Sequence, residues 1–516
     1  MAQLPNEIYR QILSPLDLGT LQACRLAGRP ILQAATELVF RRVTLRVEFM
    51  PAQLARSGPN FVQIATAAHL RPLVREVAID TAVTPAAFLH ADTVCAAANV
   101  PVPRLPEAFL YALPFLNTLT GLKSLEVAFA GGNGTNSGDW LFRHQRGPFA
   151  GLVLDTCLRC IAGDWSFSRH VRLQTEILHA MQGEGGTLST EWPSLVTAPQ
   201  KDPMEVTTLE VTDMPVSLQL AVPDMLLSCE SLKHLHLNLS FSELDSVFHN
   251  LPRQRGDRFD YFETLPKTWL TPDIANNLRV LSLSHEEYWG WAPKMDLRTV
   301  NPGVGFPNLR VLSLGCYVFS HEWQVDWIVT LGHQNGRGGL EELYLKDCPI
   351  MWEASVHSSL DESVTELATL SGGVVSIPNE GYPTDQSLQL PDELSDLIEV
   401  SFPLRWSSVL DRWANTMASS LKIFAMGSEP WGEGLYEQWR ELPANTPGLI
   451  QYVHFNIGLD PQPWIETDDR RRMINEIDGL DKYHAARKAD YDSYDNFINT
   501  VFPDLSTDRY TRDVFS

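Results

Sequence analysis

The first fifty residues carry three short apolar patterns with the period of a helix. Ser14-Pro15 and Gly28-Arg29-Pro30 separate the patterns, and Asp17 precedes the second as a suitable N-cap. After Phe40 the period changes to two, which predicts a half-buried strand. The apolar positions of the three predicted helices are Leu4, Ile8, Ile12 and Leu13, then Leu18, Leu21 and Cys24, then Ile31, Leu32, Ala35, Leu38 and Val39.

Three helices this short cannot bury enough apolar area to be stable alone, so they must pack against a partner or the rest of the chain. Residues 4–45 resemble an F-box, most closely those of filamentous fungi, in Leu4-Pro5-Asn6-Glu7-Ile8, the Leu-Ser-Pro-Leu-Asp run and the closing Leu38-Val39-Phe40. The resemblance implies docking to a Skp-type adaptor that bridges to a cullin–RING ubiquitin ligase. An unrelated helical cap is the alternative. The adaptor contacts implied by the resemblance are Leu4, Pro5, Ile8, Leu13, Leu16, Leu18 and Leu21.

The rest of the chain repeats the motif L-x-x-L-x-L, in which alternate apolar side chains of a short strand point inward. Three copies begin 31 residues apart at Leu278, Leu309 and Leu340, and helical patterns over 322–331 and 408–417 fit the return path. This region resembles the leucine-rich repeats common behind fungal F-boxes. An α/β domain with Leu-rich buried strands is the alternative. Copies or degenerate copies cover 74–79, 122–127, 206–211, 232–237, 278–283, 309–314, 340–345, 421–426 and 450–455.

In a repeat of this kind the residues between the buried leucines face the concave side, where a continuous surface is available for binding. Mixed polar, charged and aromatic groups there suit the recognition of a target protein, and a solvated sheet face without a ligand is the alternative. The predicted target-binding residues are His234, His236, Arg279, Ser282, Arg310, Ser313, Tyr344 and Lys346.

These patterns predict an α/β fold: an N-terminal three-helix F-box over 1–48, an irregular leucine-rich-repeat solenoid with insertions over 49–460, and a helical C-terminal cap over 461–516. Residues 347–404 contain eleven Asp or Glu and no Lys or Arg, which predicts a partly disordered acidic insertion. It is interpreted either as a site that recruits a basic segment of the target or as a solvated loop.

Charge and cysteine content narrow the class of partner. The net charge of −23 argues against a general nucleic-acid binder, while residues 1–75 hold nine Arg, no Lys and four acids, which favours an acidic partner at this end. Seven scattered Cys predict a reducing compartment. The longest apolar run, 108–122, is short for a membrane helix, and no secretory signal is evident. We therefore expect an intracellular protein of the cytoplasm or nucleus that does not bind membranes.

Motifs of catalytic chemistry are missing from the sequence. Cys157-Leu-Arg-Cys160 lacks the second pair that a structural zinc needs, and His321-Glu322 is not followed by the second His of a zinc protease motif. We predict no catalytic residue, metal or cofactor, and a non-catalytic substrate receptor of an SCF-type ubiquitin ligase. A protein-binding scaffold outside any ligase and an α/β hydrolase remain as alternatives.

Overall fold

The structure, a computed structural model, describes residues 5–48, 54–81, 106–129, 146–165, 202–215, 230–240, 252–334, 337–384, 387–388, 397–427, 452–456, 462–463 and 480–503. The chain divides into two compact units. The first comprises Met1–His234 and Ser240–Leu244, and the second comprises Leu235–Leu239 and Asp245–Ser516. Both combine helices with parallel strands, so the expected α/β class is confirmed.

The first unit begins with the three predicted helices, α1 (Asn6–Leu13), α2 (Leu18–Ala27) and α3 (Arg29–Val39). Asp17 caps α2, because its carboxylate accepts the backbone N–H of Thr20 at 3.0 Å. The helices pack on one another around a small apolar core whose fully buried members are Leu13, Leu21, Ala34 and Ala35.

Four parallel strands follow in the first unit and pair in chain order, β1-β2-β3-β4. Their buried side chains come into register across the sheet, because parallel pairing aligns the same position of each motif. The strands are β1 (Arg42–Arg46), β2 (Glu76–Asp80), β3 (Ser124–Ala128) and β4 (Thr208–Pro215); the intervening helices are α4 (Ser57–Thr66), α5 (Glu107–Ala112) and α6 (Arg146–Ala162), with 3-10 turns at Arg71–Leu73 and Leu113–Thr118.

The second unit also contains parallel strands, in the order β5-β6-β7-β10-β15. Its strands are β5 (His234–Ser240, of which Leu235–Leu239 belong to this unit), β6 (Val280–Trp289), β7 (Val311–Tyr317), β8 (His333–Gln334), β9 (Arg337–Gly338), β10 (Glu342–Lys346), β11 (Ile350–Val356), β12 (Val364–Ala368), β13 (Val374–Pro378), β14 (Ile398–Ser401), β15 (Ile423–Gly427), β16 (Tyr452–Asn456) and β17 (Gln462–Pro463). Its helices are α7 (Pro252–Thr268), α8 (Pro272–Asn277), α9 (Glu322–Thr330), α10 (Trp406–Met417) and α11 (Leu480–Val501), with a 3-10 turn at Leu297–Thr299.

The L-x-x-L-x-L motifs form strands whose apolar residues are buried, as predicted. Leu281, Leu312, Leu343 and Phe424 pair in one register across four strands, and each is at most 2% exposed. Helices α9 and α10 lie where the return helices were expected. The copy at 450–455 is the exception, because its strand β16 pairs with β11 in a separate sheet of order β14-β11-β16-β17.

Three of the motifs share a backbone conformation near the end of their strands. Asp213, Cys316 and Asp347 all stand at the eighth position of their copy, and their φ angles are 53°, 59° and 50°. Positive φ is uncommon for residues with a Cβ atom, so its recurrence at one motif position indicates that these strands end in the same way.

The acidic stretch 347–404 was expected to be partly disordered, and more than half of its described residues belong to strands or to a hairpin. They form β11, the β12–β13 hairpin and β14. The hairpin is antiparallel, with Val364 opposite Pro378 and Ala368 opposite Val374. Alternating Val, Ile and Leu supply the strand pattern, which the high acid content concealed.

The described end of the chain contains a helix, as the predicted cap requires. Helix α11 packs on α10, and its Asp490 is fully buried there. The Asp490 carboxylate accepts the Tyr452 hydroxyl at 2.6 Å and the backbone N–H of Ser407 at 2.7 Å, in the first turn of α10. This acid therefore joins three elements while capping a helix. Residues 461, 464–479 and 504–516 of the predicted cap lie outside the described residues.

We predict that Asp490→Ala lowers the free energy of unfolding of the second unit by about 1–3 kcal/mol, because it leaves a buried hydroxyl and a helix N–H without an acceptor. Chemical denaturation of the full chain measures the change. Asp490→Asn is the matched control, since its side-chain oxygen still accepts the backbone N–H of Ser407. Equal losses for the two variants would contradict the capping role.

Candidate docking surfaces

The three N-terminal helices expose more large apolar side chains than any other described segment. Five of the twelve exposed large hydrophobic residues in the described part of the chain lie between residues 8 and 32. Ile8 and Ile12 are four residues apart on α1, and Leu18 and Leu26 are eight apart on α2, so each pair shares one helix face. The exposed fractions are Ile8 38%, Ile12 56%, Leu18 56%, Leu26 90% and Leu32 42%.

The predicted adaptor contacts divide into exposed and buried residues. Pro5, Ile8 and Leu18 are exposed, and Leu16 is half-buried. Leu13 and Leu21 are only 5% and 7% exposed, inside the core of the three helices. These two are corrected from contact residues to core residues, because side chains that hold the helices together are not available to a partner. Leu4 lies outside the described residues.

The exposed residues Ile12, Leu26 and Leu32 were not among the predicted contacts. A signal for Ile12 was present, since it lies one turn beyond Ile8 on the same face. Leu26 and Leu32 lie close to the break between α2 and α3. Their exposure depends on how the helices pack, which a local pattern does not reveal.

The target-binding surface predicted on the second unit's strands is largely closed. Ser282, Ser313 and Tyr344 are 6%, 0% and 0% exposed, and His236 is 6% exposed, so the expectation that they face a partner is wrong. The physical reason is lateral packing, because a second apolar cluster forms on this side of the sheet. Its members are Val280, Val311, Tyr344 and Ala425.

The other predicted target contacts differ in exposure. Arg279 is exposed, while Lys346 is half-buried. Half-buried Arg310 donates to the carbonyl of Gly339 at 3.1 Å. In the first unit, a ring nitrogen of half-buried His234 lies 3.2 Å from the hydroxyl of Thr208. Of the eight predicted positions, Arg279 alone is fully exposed, so these residues do not form one open binding face.

The first unit carries a more open strand face, lined by ion pairs. Arg46 bonds to Asp80 on the neighbouring strand at 2.7 Å, and Arg42 reaches Glu126, two strands away, at 2.6 Å. Both arginine side chains are at least 60% exposed. Exposed pairs of this kind contribute little to stability, so the charges are available for polar contacts at the rim of an interface.

The β12–β13 hairpin projects from the second unit on a firmly held base. At its base, Arg298 donates to the carbonyl of Pro378 at 2.8 Å, and Lys294 donates to the side chain of Asn379 at 2.8 Å. Trp291 donates to the carbonyl of Gly381 at 2.8 Å. The hairpin tip is more exposed than this base, because Leu370 at the tip is 71% exposed.

His321 completes the base of the hairpin. Its Nε2 lies 2.9 Å from the carbonyl of Glu380, its Nδ1 lies 2.7 Å from the hydroxyl of Ser320, and the ring stacks on Tyr382 at 4.5 Å. A carbonyl only accepts, so Nε2 carries the proton and neutral Nδ1 accepts from Ser320. Burial lowers the pKa of His321 from 6.5 to about 4, despite the Glu380 carbonyl, which favours the charged form.

The polar cluster nearest to catalytic chemistry is Ser355, Glu399 and His454. The Ser355 hydroxyl donates to Glu399 at 2.7 Å and lies 3.0 Å from Nε2 of His454. In a nucleophile–base–acid triad the histidine stands between serine and carboxylate, whereas here the serine stands in the middle. Ser355 is also only 3% exposed, so the cluster is not arranged for attack on a substrate.

Cys157 and Cys160 lie buried on α6, and burial raises the pKa of both thiols. A raised pKa keeps a thiol protonated and unreactive. Within the ranges that the structure describes, no group of three or more His, Cys, Asp or Glu side chains is placed to hold a metal ion. Among the helices described, none is long and apolar enough to cross a bilayer.

No protein-family model matches the chain, and no curated protein matches it significantly. The surfaces themselves therefore supply the argument for function.

We predict that the contribution of His321 to stability decreases as the pH falls from 6.5 towards 4, because His321 binds a proton in the unfolded state but not in the folded state. Between pH 7 and 5 the loss due to this residue should be about 2 kcal/mol. Thermal unfolding as a function of pH measures it. His321→Asn should flatten the profile, and an unchanged slope in that variant would contradict the assignment.

Proposed function

We propose that the protein is the substrate-recognition subunit of an SCF-type cullin–RING ubiquitin ligase. The helices α1, α2 and α3 form an F-box that docks a Skp-type adaptor, and the remainder binds a target protein. It catalyses no reaction itself, but raises the effective concentration of the target beside the ubiquitin-loaded enzyme. The observation that carries the proposal is the exposed apolar surface of Ile8, Ile12, Leu18, Leu26 and Leu32.

The energetics of these helices support a protein partner. Their fully buried core consists of two leucines and two alanines, while five large apolar side chains face solvent. Exposed apolar residues scattered singly are ordinary, but a concentration of them in one short segment marks an interaction site. The arginine-rich composition of residues 1–75 favours an acidic partner and complements the apolar contacts.

We also propose that the parallel strands are degenerate leucine-rich repeats. Two equal steps of 31 residues, the shared register of the buried apolar positions and the recurrent positive φ at the eighth position support this. Repeats of this kind provide a rigid connection between the adaptor end and a target.

The decisive measurement is binding of the full chain to a purified Skp-type adaptor. We expect Ile12→Asp combined with Leu18→Asp to weaken the adaptor complex by at least about tenfold, because both side chains are 56% exposed and a buried charge at an interface is costly. Val304→Asp, at a residue 57% exposed in the second unit, is the matched control and should bind like the wild type.

Two results would overturn this proposal: a wild-type chain that binds no Skp-type adaptor, and a double variant that binds as tightly as the wild type. Purification of the native complexes then separates the ligase subunit from its rival. Adaptor complexes that contain a cullin support the ligase, whereas adaptor complexes that never contain one indicate a scaffold outside any ligase.

A further inference from the structure

Within the described part of the chain, the outer edge of β12 carries backbone groups that have no partner. Thr369 donates to the carbonyl of Gly373, and Asn379 donates to the carbonyl of Ser363, both at 2.9 Å. In an antiparallel pair, only every second residue of a strand directs its N–H and C=O towards the partner strand. The two hydrogen bonds above therefore show which residues of β12 face β13. The N–H and C=O groups of Val364, Glu366 and Ala368 therefore point away from β13.

The two outer edges of the hairpin are not equivalent. On β13, Pro378 has no N–H, and its carbonyl already accepts from Arg298 at 2.8 Å. On β12, no described residue bonds to the backbone of residues 364, 366 or 368, and the strand contains neither Pro nor Lys. Natural proteins usually protect an edge strand with such residues, so an edge without them is available for strand pairing.

The side chains beside this edge define what it can accept. Val364 and Val374 are 55% and 65% exposed on the same face of the hairpin as Glu366, which is exposed too. Glu362, just before β12, is also exposed, and the stretch 347–404 contains eleven acids and no Lys or Arg. Glu362, Val364 and Glu366 share one face, whereas the half-buried Thr365 and Leu367 lie on the other. A strand that alternates basic with apolar residues places its bases opposite Glu362 and Glu366 and its apolar side chains beside Thr365 and Leu367.

We propose that the β12 edge binds an extended segment of a partner protein by strand addition, and that this segment alternates Lys or Arg with β-branched apolar residues. Backbone hydrogen bonds to residues 364, 366 and 368 supply affinity, and Glu362 with Glu366 selects positive charge. The anchored base formed by Arg298 and His321 holds the edge rigid, so little ordering is needed on binding. This inference rests on the proposed function only in taking the segment to belong to the target.

Titration of the full chain with the fluorescent synthetic peptide KVRVKV, followed by hydrogen exchange, tests the proposal. We expect saturable binding, slowed exchange of the amides of residues 364, 366 and 368, and no binding of the peptide EVEVEV. Glu366→Pro removes an outward N–H together with the Glu366 charge and should weaken binding by about tenfold or more, whereas Glu366→Gln removes the charge alone and should weaken binding less. Glu362→Lys with Glu366→Lys should weaken it as well, with a reduced dependence on salt.

Ser376→Pro is the matched control, because Ser376 lies directly opposite Glu366 and its N–H points outward from β13. It should bind the peptide like the wild type, and circular dichroism should show both proline variants folded. The proposal is overturned if the two proline variants bind equally, if EVEVEV binds as well as KVRVKV, or if the protected amides lie elsewhere. It is also overturned if β12 pairs with a second copy of the chain, seen as a dimer that Glu366→Pro dissociates.

The same variants separate this proposal from the adaptor proposal. Glu366→Pro should leave binding to a Skp-type adaptor unchanged, and the Ile12→Asp and Leu18→Asp double variant should leave peptide binding unchanged. If the wild-type chain binds the adaptor but not the peptide, the strand-addition proposal alone fails; if it binds the peptide but not the adaptor, the adaptor proposal alone fails.

Discussion

Pairing of short parallel strands is the constraint on which both units depend. Each strand buries apolar side chains at alternate positions, and its peptide groups must find partners on both sides once they leave water. Register follows from this, since a slip by one residue would exchange the places of Leu312 and Ser313 and put a hydroxyl into the apolar core. The positive φ shared by Asp213, Cys316 and Asp347 shows that copies of the motif also agree in backbone conformation near the ends of their strands.

The surfaces proposed for binding lie outside the paired parallel strands. Helices α1 to α3 precede the first strand and retain exposed apolar side chains beyond their small core. The β12–β13 hairpin stands outside the parallel strands and presents an outer edge. Together these two segments hold eight of the twelve exposed large hydrophobic residues in the part of the chain described. Adaptor binding and target binding therefore have separate physical sources in the proposed receptor.

Polar residues in the second unit serve structure more than chemistry. Asp490 caps α10, Arg298 and His321 hold the base of the hairpin, and Ser355 lies between a glutamate and a histidine. Buried polar groups are costly unless they are satisfied, and when satisfied they define one arrangement of the elements around them. Their role in holding elements together agrees with the proposal of a rigid, non-catalytic receptor.

Local periodicity in the sequence determined the three N-terminal helices, the strands with buried leucines and the helices α9 and α10, because these elements follow from the spacing of apolar residues along one segment. Tertiary structure decided which of the remaining positions face solvent. Ser282 and Tyr344 follow the expected alternation but are buried by neighbouring strands, and Leu13 and Leu21 became core because three helices converge on them. The copy at 450–455 joined another sheet, and the acidic stretch folded into a hairpin held by contacts such as Arg298 to Pro378, 80 residues apart. The spacing of apolar residues within one segment does not depend on contacts with distant segments, so only the folded chain could reveal these contacts.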